Sequence, residues 1–449
     1  MRLPETPPSI PDDPQSLGEI FASLRNPKVA AIVGHANSRY LRWDEFRRRP
    51  LVAGFSAEHL WRAVRLARLP HLRPFGLRSD SGKPFVFSTP ATALRDLHQI
   101  DLQLGGTISF DDTATTSSVE RDRFLIGSLM EEAISSSQIE GAATTREVAK
   151  RMLREGRSPR TRGERMIFNN YLTIQKLRDW KDRELTLDAL LEIQASLTSD
   201  TLDDTQAVGR LRTDADRIRV VDTRNETVLH VPPPASQLPE RIARFCEFAN
   251  KFDDSEFVHP VVRAILLHFW LGYEHPFVDG NGRTARAISY WYLLKAGYWL
   301  VEFLPLSRVI VRAPARYGRA FLHSESDSCD ATYFLMYILE AVRRALKELV
   351  EYLRRKQRQR AAAVGAAARI SALNDRQARL VGQLLTDPGR EITVEEHGSD
   401  HPISYGTAYN DLAGLVRRGL LLRRRVGRRL TYRASPKLLA LDRRAVRHE

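Results

Sequence analysis

The sequence predicts a mainly α-helical protein: a helical core with one short loop and one β-hairpin, followed by a small helical domain with a second hairpin. Residues 261–273 form a long apolar run, which is typical of a buried helix. Residues 284–295 have a second helical pattern, and Gly297 follows it at a position where helices commonly end. Between residues 217 and 234, apolar and polar residues alternate on both sides of residues 222–225, which predicts two strands and a turn.

The region before these helices carries weaker signals. Residues 1–16 are rich in proline and are expected to form a flexible tail. Residues 56–68 have a helical pattern, and residues 82–87 alternate like a short strand. We therefore expect an N-terminal extension over residues 1–110.

Composition indicates a globular protein of two or three domains, since the chain has 449 residues and a mean hydropathy of −0.36. The formal net charge of +14 suggests an acidic partner, with nucleic acid the first candidate, although an arginine-rich composition alone can produce such a charge. Cys246 and Cys329 lie in no metal-type spacing, so we expect reduced thiols. Without a signal-like or membrane-length apolar run, the expectation is a cytoplasmic protein with no membrane partner.

The chemistry is expected in the loop and first helical turn at residues 275–286, HPFVDGNGRTAR. Gly280 and Gly282 allow backbone N–H groups to turn inward where the next helix starts, and such a helix N-terminus binds anions such as phosphate. Arg283 and Arg286 are three residues apart, so both guanidinium groups are expected on one face beside that site.

Two further side chains complete the loop. Asp279 offers a carboxylate suited to Mg²⁺, which usually takes one or two carboxylates and then phosphate oxygens. His275 can accept a proton near neutral pH, so the set predicts a phosphate-transfer site. The alternative is a plain helix–loop–helix corner with a core histidine and solvated arginines. Each residue alone favours that alternative, but the set does not, because a corner needs only one glycine.

The same stretch resembles the His-Pro-Phe-x-x-Gly-Asn-Gly-Arg-x-x-Arg signature of the Fic family (filamentation induced by cAMP). The resemblance implies a helical bundle with a β-hairpin flap that transfers AMP from ATP, with Mg²⁺, to a Tyr, Thr or Ser hydroxyl of a target protein. In that interpretation His275 is the general base and Asp279 holds the metal. Gly318 stands where many relatives have a second tyrosine. The ATP-binding residues would be Gly280, Asn281, Gly282, Arg283, Arg286 and Tyr317.

A second motif, SSQIEG, lies at residues 136–141, after an apolar pattern that predicts an amphipathic helix. Alone, it is a helix ending on a charged residue and a glycine. It is similar to the inhibitory pattern of Fic proteins, which implies that Ser136, Glu140 and Gly141 form an inhibitory element. Glu140 would then pair with Arg286 and keep that guanidinium from the γ-phosphate of ATP.

The hairpin expected around residues 222–225 resembles the flap of the family. The resemblance implies a sheet edge where an extended target segment is held by strand addition. The alternative is a surface hairpin without such a role.

The C-terminal part resembles a winged helix-turn-helix domain, with Ser404 and Gly419 bounding a helix and a basic hairpin around Gly427 and Arg428. In residues 370–449, 15 Lys and Arg stand against 9 Asp and Glu, so a large part of the net charge lies there. The resemblance implies a DNA partner. A protein-interaction module or a solvated helical cap are the alternatives.

The sequence thus predicts an extension (1–110), a Fic domain with its inhibitory helix (111–353), a linker (354–372) and a winged helix-turn-helix domain (373–449). The main functional hypothesis is a protein adenylyltransferase restrained by Glu140. Two alternatives stay open: a DNA-binding transcriptional regulator whose Fic domain senses nucleotide, and a Fic enzyme that also removes AMP. Whether the protein forms a homodimer is also left open.

Overall fold

The computed structural model describes residues 3–104, 118–222, 224–251, 257–368, 373–386, 389–426 and 429–445. The chain divides into two compact units, Met1–Leu346 and Lys347–Glu449. The expected boundary at residues 110 and 111 and the expected hairpin turn at Gly427 and Arg428 lie outside the described residues. Within the described part, no helix has both the length and the apolar character needed to cross a bilayer.

The first unit is mainly helical. In chain order its described helices and strands are α1 (Pro14–Ser23), α2 (Pro27–Ser38), α3 (Trp43–Phe46), α4 (Ala57–Arg68), β1 (Arg73–Arg78), β2 (Pro84–Phe87), α5 (Ala91–Leu102), α6 (Ser118–Ile139), α7 (Arg146–Glu155), α8 (Arg162–Asp179), α9 (Leu187–Thr198), β3 (Val220–Asp222), β4 (Thr227–His230), α10 (Leu238–Asn250), α11 (Pro260–Glu274), α12 (Asn281–Lys295), α13 (Leu306–Ile310) and α14 (Pro314–Ser326). The division between the units falls inside α15 (Thr332–Ala368), so the expected linker at 354–372 begins within a helix.

For residues 3–16, the described part of the flexible tail expected over residues 1–16, that expectation is wrong. Pro7 is buried, and α1 already begins at Pro14. The Asp13 carboxylate accepts a hydrogen bond from the Ser16 N–H at 2.7 Å, and Pro14 supplies the helical φ of the first turn. The helix then buries Ile20 among apolar residues of α2 and α4.

A buried polar network joins this N-terminal region to the start of α15. The Arg68 guanidinium donates to the Tyr333 hydroxyl at 2.7 Å and to the Leu41 carbonyl at 2.9 Å. The Tyr40 hydroxyl donates to the Asp330 carboxylate at 2.5 Å. A buried charge whose hydrogen bonds are made costs far less free energy than an unpaired one. The extension is therefore part of the same packed unit as the helical core.

The β-hairpin between the two motifs is confirmed, with shorter strands than the pattern suggested. β3 and β4 pair antiparallel, with Val220 opposite His230. The apolar run continues beyond β4 into three consecutive prolines at positions 232–234. Proline cannot donate a ladder hydrogen bond, so the second strand ends early.

The second unit contains α16 (Asp375–Thr386), β5 (Glu391–Thr393), α17 (Val394–Asp400), α18 (Tyr405–Arg417), β6 (Leu421–Val426), β7 (Arg429–Ala434) and α19 (Pro436–Ala445) in its described residues after α15. The sheet order is β5-β7-β6. As expected, the Ser404 side chain caps α18, and Gly419 has a positive φ of 71° after it. The three-residue strand β5 was not expected. The winged-helix assignment itself stays a prediction.

Candidate active site

The loop at the centre of the site joins two buried helices. α11 ends at Glu274, and His275 caps it in the left-handed conformation, with φ 46° and ψ 54°. α12 begins at Asn281, three residues earlier than the sequence pattern indicated. Gly280 has φ 86°, and a Cβ there would lie 2.7 Å from Thr198 Cγ2. Glycine is therefore required at 280 both for the backbone conformation and for space.

Asn281 closes the loop through its side chain. Its Nδ2 donates to the Phe277 carbonyl at 2.8 Å, and its Oδ1 accepts from the Phe277 N–H at 2.9 Å. The amide is thus committed to the loop and does not reach toward a nucleotide. The expected contact of Asn281 was through its backbone, which lies in the first turn of α12, where N–H groups have no helical partner.

Arg212 holds the loop from the outside, a role that the sequence reasoning missed. Its Nε donates to the His275 carbonyl at 2.7 Å, and its backbone N–H donates to the Pro276 carbonyl at 2.8 Å. Its Nη2 also donates to the carbonyls of Glu274 and Pro233, at 3.1 and 2.6 Å. One buried guanidinium therefore fixes the end of α11, the loop and the chain after β4. The sequence around Arg212 carries no signal for this contact.

Gln194, in α9, is a second holding residue without a sequence signal. Its Nε2 donates to the Asp279 carbonyl at 3.1 Å, and its Oε1 accepts from the Gly209 N–H at 2.7 Å. Its side chain is fully buried. These contacts arise from tertiary packing between residues far apart in the chain.

Arg283 is fully buried at the loop. Its Nη1 donates to the Leu197 carbonyl at 2.9 Å, and its Nη2 lies 3.5 Å from Asp279 Oδ1. Among the described residues, neither Nε nor Nη2 of Arg283 has a hydrogen-bond partner. Burial lowers the pKa of Arg283, and the nearby carboxylates oppose that effect. Buried donors without acceptors are costly, so an anion bound here would be stabilised.

Arg286 forms the ion pair with Glu140 that the sequence predicted. Arg286 Nη2 lies 2.8 Å from Glu140 Oε1, and the same nitrogen donates to the Ser136 carbonyl at 2.9 Å. Arg286 Nε donates to Ser136 Oγ at 2.8 Å. Burial alone would lower the pKa of Arg286, but the Glu140 charge raises it on balance. Gly141 has φ 91° and turns the chain after α6.

The Glu140 carboxylate lies directly over the N-terminus of α12. A Cβ on Gly282 would overlap Oε1 and Cδ of Glu140 and would lie 3.1 Å from Oε2. The carboxylate therefore occupies the position where backbone N–H groups, the helix dipole and Arg286 together favour an anion. In this structure the anion in that position is a side chain of the protein itself.

A backbone hydrogen bond sets the tautomer of His275. Its Nδ1 lies 3.2 Å from the Gly272 carbonyl, which can only accept, so the proton sits on Nδ1 and the Nε2 lone pair stays available. Burial lowers the pKa of His275 to about 4, against a smaller opposing effect of the Gly272 bond. The imidazole is therefore neutral at physiological pH.

Asp279 provides a single carboxylate, with its side chain 38% exposed. Its Oδ1 accepts from the Gly280 N–H at 2.5 Å, and its Oδ2 lies 3.9 Å from Arg162 Nη2. Among the described residues, no group of three or more His, Cys, Asp or Glu side chains could hold a metal ion. Asp279 can supply only part of the coordination shell of Mg²⁺. The site therefore fits Mg²⁺ only when phosphate oxygens of a bound nucleotide supply further ligands.

Tyr317, in α14, lies close to Arg286 inside the core. Its hydroxyl is 2.7 Å from His268 Nε2. Burial raises the pKa of Tyr317 to about 12, and the positive charge of Arg286 acts against this rise. The structure thus brings Tyr317 to the edge of the site, while its hydroxyl is already engaged by a core histidine.

The helical core, with a loop between two buried helices and a β-hairpin beside it, matches the fold that the resemblance to the Fic family implies. Residues 184–293 match the sequence profile of the Fic/DOC family. The chain therefore contains a Fic domain. A Fic family protein from Desulfovibrio desulfuricans G20 has a similar crystal structure, with a TM-score of 0.50 at 22% identity, over 76% of this chain and 96% of that one.

Two curated relatives share the same name, "Protein adenylyltransferase Fic". The Nematostella vectensis protein is 31% identical over 117 residues, which is 26% of this chain and 25% of the relative. The Drosophila grimshawi protein is 44% identical over 69 residues, or 15% of this chain and 14% of the relative. The match thus spans a quarter or less of the length of these relatives.

Proposed function

We propose that the protein is an adenylyltransferase that moves AMP from ATP to a hydroxyl side chain of a target protein. One observation carries the proposal: an acidic side chain, Glu140, occupies an anion site formed by the α12 N-terminus and Arg286, close to the base His275. The name shared by the matched relatives points to the same reaction. Together these features favour a phosphate substrate and a proton-accepting group in one site.

In the proposed reaction, His275 Nε2 takes the proton of the target hydroxyl as its oxygen bonds to the α-phosphorus of ATP. The bond between that phosphorus and the β-phosphate oxygen breaks, and pyrophosphate leaves. The N–H groups at Asn281 and Gly282 stabilise charge on the transferring phosphate, which is commonly the largest catalytic effect. The Gly280 N–H donates to Asp279, so Gly280 contributes the turn of the loop beside the phosphates. Arg283 holds the outer phosphates through Nε and Nη2, the two nitrogens for which the described residues supply no hydrogen-bond acceptor. Mg²⁺, held by Asp279 and phosphate oxygens, would neutralise phosphate charge.

From the same geometry we also propose how Glu140 restrains the activity. While Glu140 pairs with Arg286, that guanidinium cannot bind the γ-phosphate, so ATP binds with its α-phosphate misplaced. A misplacement of about 1 Å can cost about a hundredfold in rate. Glu140 is therefore proposed as an inhibitory residue, with Ser136 keeping the arginine in place.

The proposal is tested with His275→Ala in the full chain. The measurement is made in a Glu140→Gly parent, because the proposed restraint keeps the labelling rate of the unsubstituted chain low. In that parent, ATP labelled on the α-phosphate should label protein covalently, and ATP labelled on the γ-phosphate should not. The His275→Ala variant should lose about a hundred- to ten-thousand-fold in labelling rate while binding ATP as before, because the base acts on the hydroxyl. Labelling at the parent rate, or γ-phosphate labelling, would refute the proposed reaction.

A second candidate, a nucleotide-sensing DNA-binding regulator, is favoured by one feature of the second unit. Arg423, Arg424 and Arg425 are consecutive and exposed on β6. Such a basic stretch beside a capped helix suits phosphate contacts on duplex DNA. The two candidates differ in the labelling experiment, because a sensor binds ATP without covalent transfer.

A further inference from the structure

The last residue of the flap, His230, is held by two hydrogen-bond acceptors. Its Nδ1 lies 2.7 Å from Glu325 Oε2, in α14. Its Nε2 lies 2.7 Å from the Tyr273 carbonyl, in the last turn of α11. The imidazole is buried, and its ring lies 4.9 Å from the Tyr273 ring. This contact is not part of the reaction described above.

Both partners require a proton on the nitrogen that faces them. A backbone carbonyl cannot donate, and an ionised carboxylate cannot donate, so a neutral imidazole satisfies only one of the two. The doubly protonated imidazolium satisfies both. It also lies at the C-terminal end of a helix, where a positive charge is favoured by the unpaired carbonyls.

Other charged and titratable groups lie near His230 on the elements that pack against it. Glu274, in α11, adds a negative charge that favours the imidazolium, although its own partner is Arg241. His275 is neutral, and on the flap itself Asp222 is paired with Arg224. Burial by itself lowers the pKa of His230, but the hydrogen bond and charge of Glu325 raise it on balance.

We propose that His230, as an imidazolium, is a positioning residue that fastens the flap to the end of α11, and that this latch opens as the pH rises. The Tyr273 carbonyl is two residues before His275, so the latch sets the position of the flap next to the base. The importance of the latch for activity rests on the proposed function. The existence of the latch does not rest on the proposed function.

The direction of the pH dependence follows from the raised pKa of His230. The latch is complete at pH values below the ordinary histidine pKa of about 6.5. It is lost as the pH rises through the higher pKa of the folded protein. Above that pH, one ring nitrogen presents a lone pair to an acceptor, and the flap loosens.

The test follows flap mobility in the full chain by amide hydrogen exchange, corrected for intrinsic rates, from pH 6 to pH 9. In the parent, exchange in the flap peptide should rise about tenfold across a single titration, the change expected on losing a charge-assisted hydrogen bond. Glu325→Gln should move the midpoint to lower pH with His230 intact. His230→Gln should give a mobile flap at every pH. Glu240→Gln, on the exposed face of α10, is the matched control and should behave as the parent.

Nitrogen-15 spectra of histidine-labelled protein provide a second reading. At pH 6 the His230 signal, assigned by its loss in His230→Gln, should show two protonated ring nitrogens. A neutral imidazole at pH 6, or a midpoint unchanged in Glu325→Gln, would overturn the latch. Self-labelling by a Glu140→Gly chain should decline with the same midpoint. If that chain never labels, the proposed function fails, and the exchange and nitrogen data still decide the latch.

Discussion

At the scale of single residues, the site depends on a histidine in a backbone conformation that glycine usually adopts. The left-handed conformation of His275 costs about 1–2 kcal/mol for a residue with a Cβ. The Arg212 bond to the His275 carbonyl and the Nδ1 bond to the Gly272 carbonyl offset this cost. The conformation ends α11 and directs Nε2 away from the carbonyl that holds Nδ1. The strained backbone at residue 275 is therefore part of what orients Nε2, the nitrogen proposed to accept the proton.

The lowered pKa of His275 predicts that the rate of AMP labelling changes little on the acid side of its pH profile. Since a base must be neutral, its activity falls as pH drops through its pKa, which burial brings to about 4. Between pH 7 and pH 5.5, we expect the single-turnover labelling rate of a Glu140→Gly chain to change little. A histidine with the ordinary pKa of about 6.5 would lose about eightfold over that range. Such a loss in the measured profile would contradict the neutral buried base.

The sequence identified the residues of the loop because their chemistry is local: glycines, arginines, a carboxylate and a histidine within twelve positions. It did not identify Arg212, Gln194 or the partner of His230. Their roles come from carbonyls and carboxylates that only folding brings near them, and backbone carbonyls carry no sequence signal. Asn281 shows a related limit, because the sequence alone does not say whether its side-chain amide contacts the loop or a ligand.

At the scale of elements, the contact between α6 and α12 is the part of the site that can be tested most directly. We expect Glu140→Gly to raise AMP labelling about a hundredfold, because Arg286 becomes free for the γ-phosphate. Stability should fall by about 1–3 kcal/mol, the cost of leaving a buried donor unpaired. The Ser136 bonds of Arg286 limit that cost.

The matched control is Glu155→Gly. Glu155 also ends a helix and precedes a glycine, Gly156, but it is exposed at the end of α7. That variant should label as the parent does. A pulse with labelled ATP, followed by unlabelled nucleotide, separates restraint from AMP removal: label that persists only in Glu140→Gly indicates removal by Glu140. Identical time courses in parent and Glu140→Gly would exclude both roles.

The elements themselves were predictable where periodicity or capping was strong. The helices expected at 261–273 and 284–295 appear in the structure, as do the strand pairs β3–β4 and β6–β7 of the two expected hairpins. The helices α1 and α2 were missed, although Asp13-Pro14 and Asn26-Pro27 are cap-and-proline pairs that typically start helices. The proline-rich composition of residues 1–16 favours a tail, whereas these caps favour helices, and the structure follows the caps.

At the scale of the whole molecule, the N-terminal region and the Fic core should unfold together. Replacing Arg68 by Met leaves the Leu41 carbonyl without this donor and removes a buried positive charge that lies close to the Asp327 and Asp330 carboxylates. We expect a loss of about 3–5 kcal/mol in the free energy of unfolding of the first unit. Intrinsic fluorescence reports on that unit, because all six tryptophans lie within it.

Arg62→Met is the control on the same helix. Arg62 donates to the Ser9 carbonyl in an exposed contact, so the loss should be about 1 kcal/mol or less. Equal losses for the two variants, or a separate early transition of the N-terminal residues, would show that the Arg68 network does not join the two regions.

For the second unit, the prediction concerns salt. If it binds duplex DNA, affinity should fall steeply with salt concentration, because phosphate contacts release counterions. Replacing Arg423, Arg424 and Arg425 by serine in the full chain should reduce the slope of log affinity against log salt by about 2 to 3. Replacing Arg354, Arg355 and Arg358, exposed on α15, removes the same charge elsewhere and should change the slope less. Binding that ignores salt would point to a protein partner.

The absence of a side chain at position 282 makes two distant positions genetically dependent on each other. With Glu140 present, even alanine at 282 must displace the carboxylate. Once Glu140 is replaced by glycine, the same alanine meets no such obstacle. The effects of Gly282→Ala and Glu140→Gly should therefore fail to add, as residues in contact do. A substitution at position 282 that is harmful while Glu140 is present can be tolerated once Glu140 is replaced. The residue at either position therefore limits which residues the other position can accept.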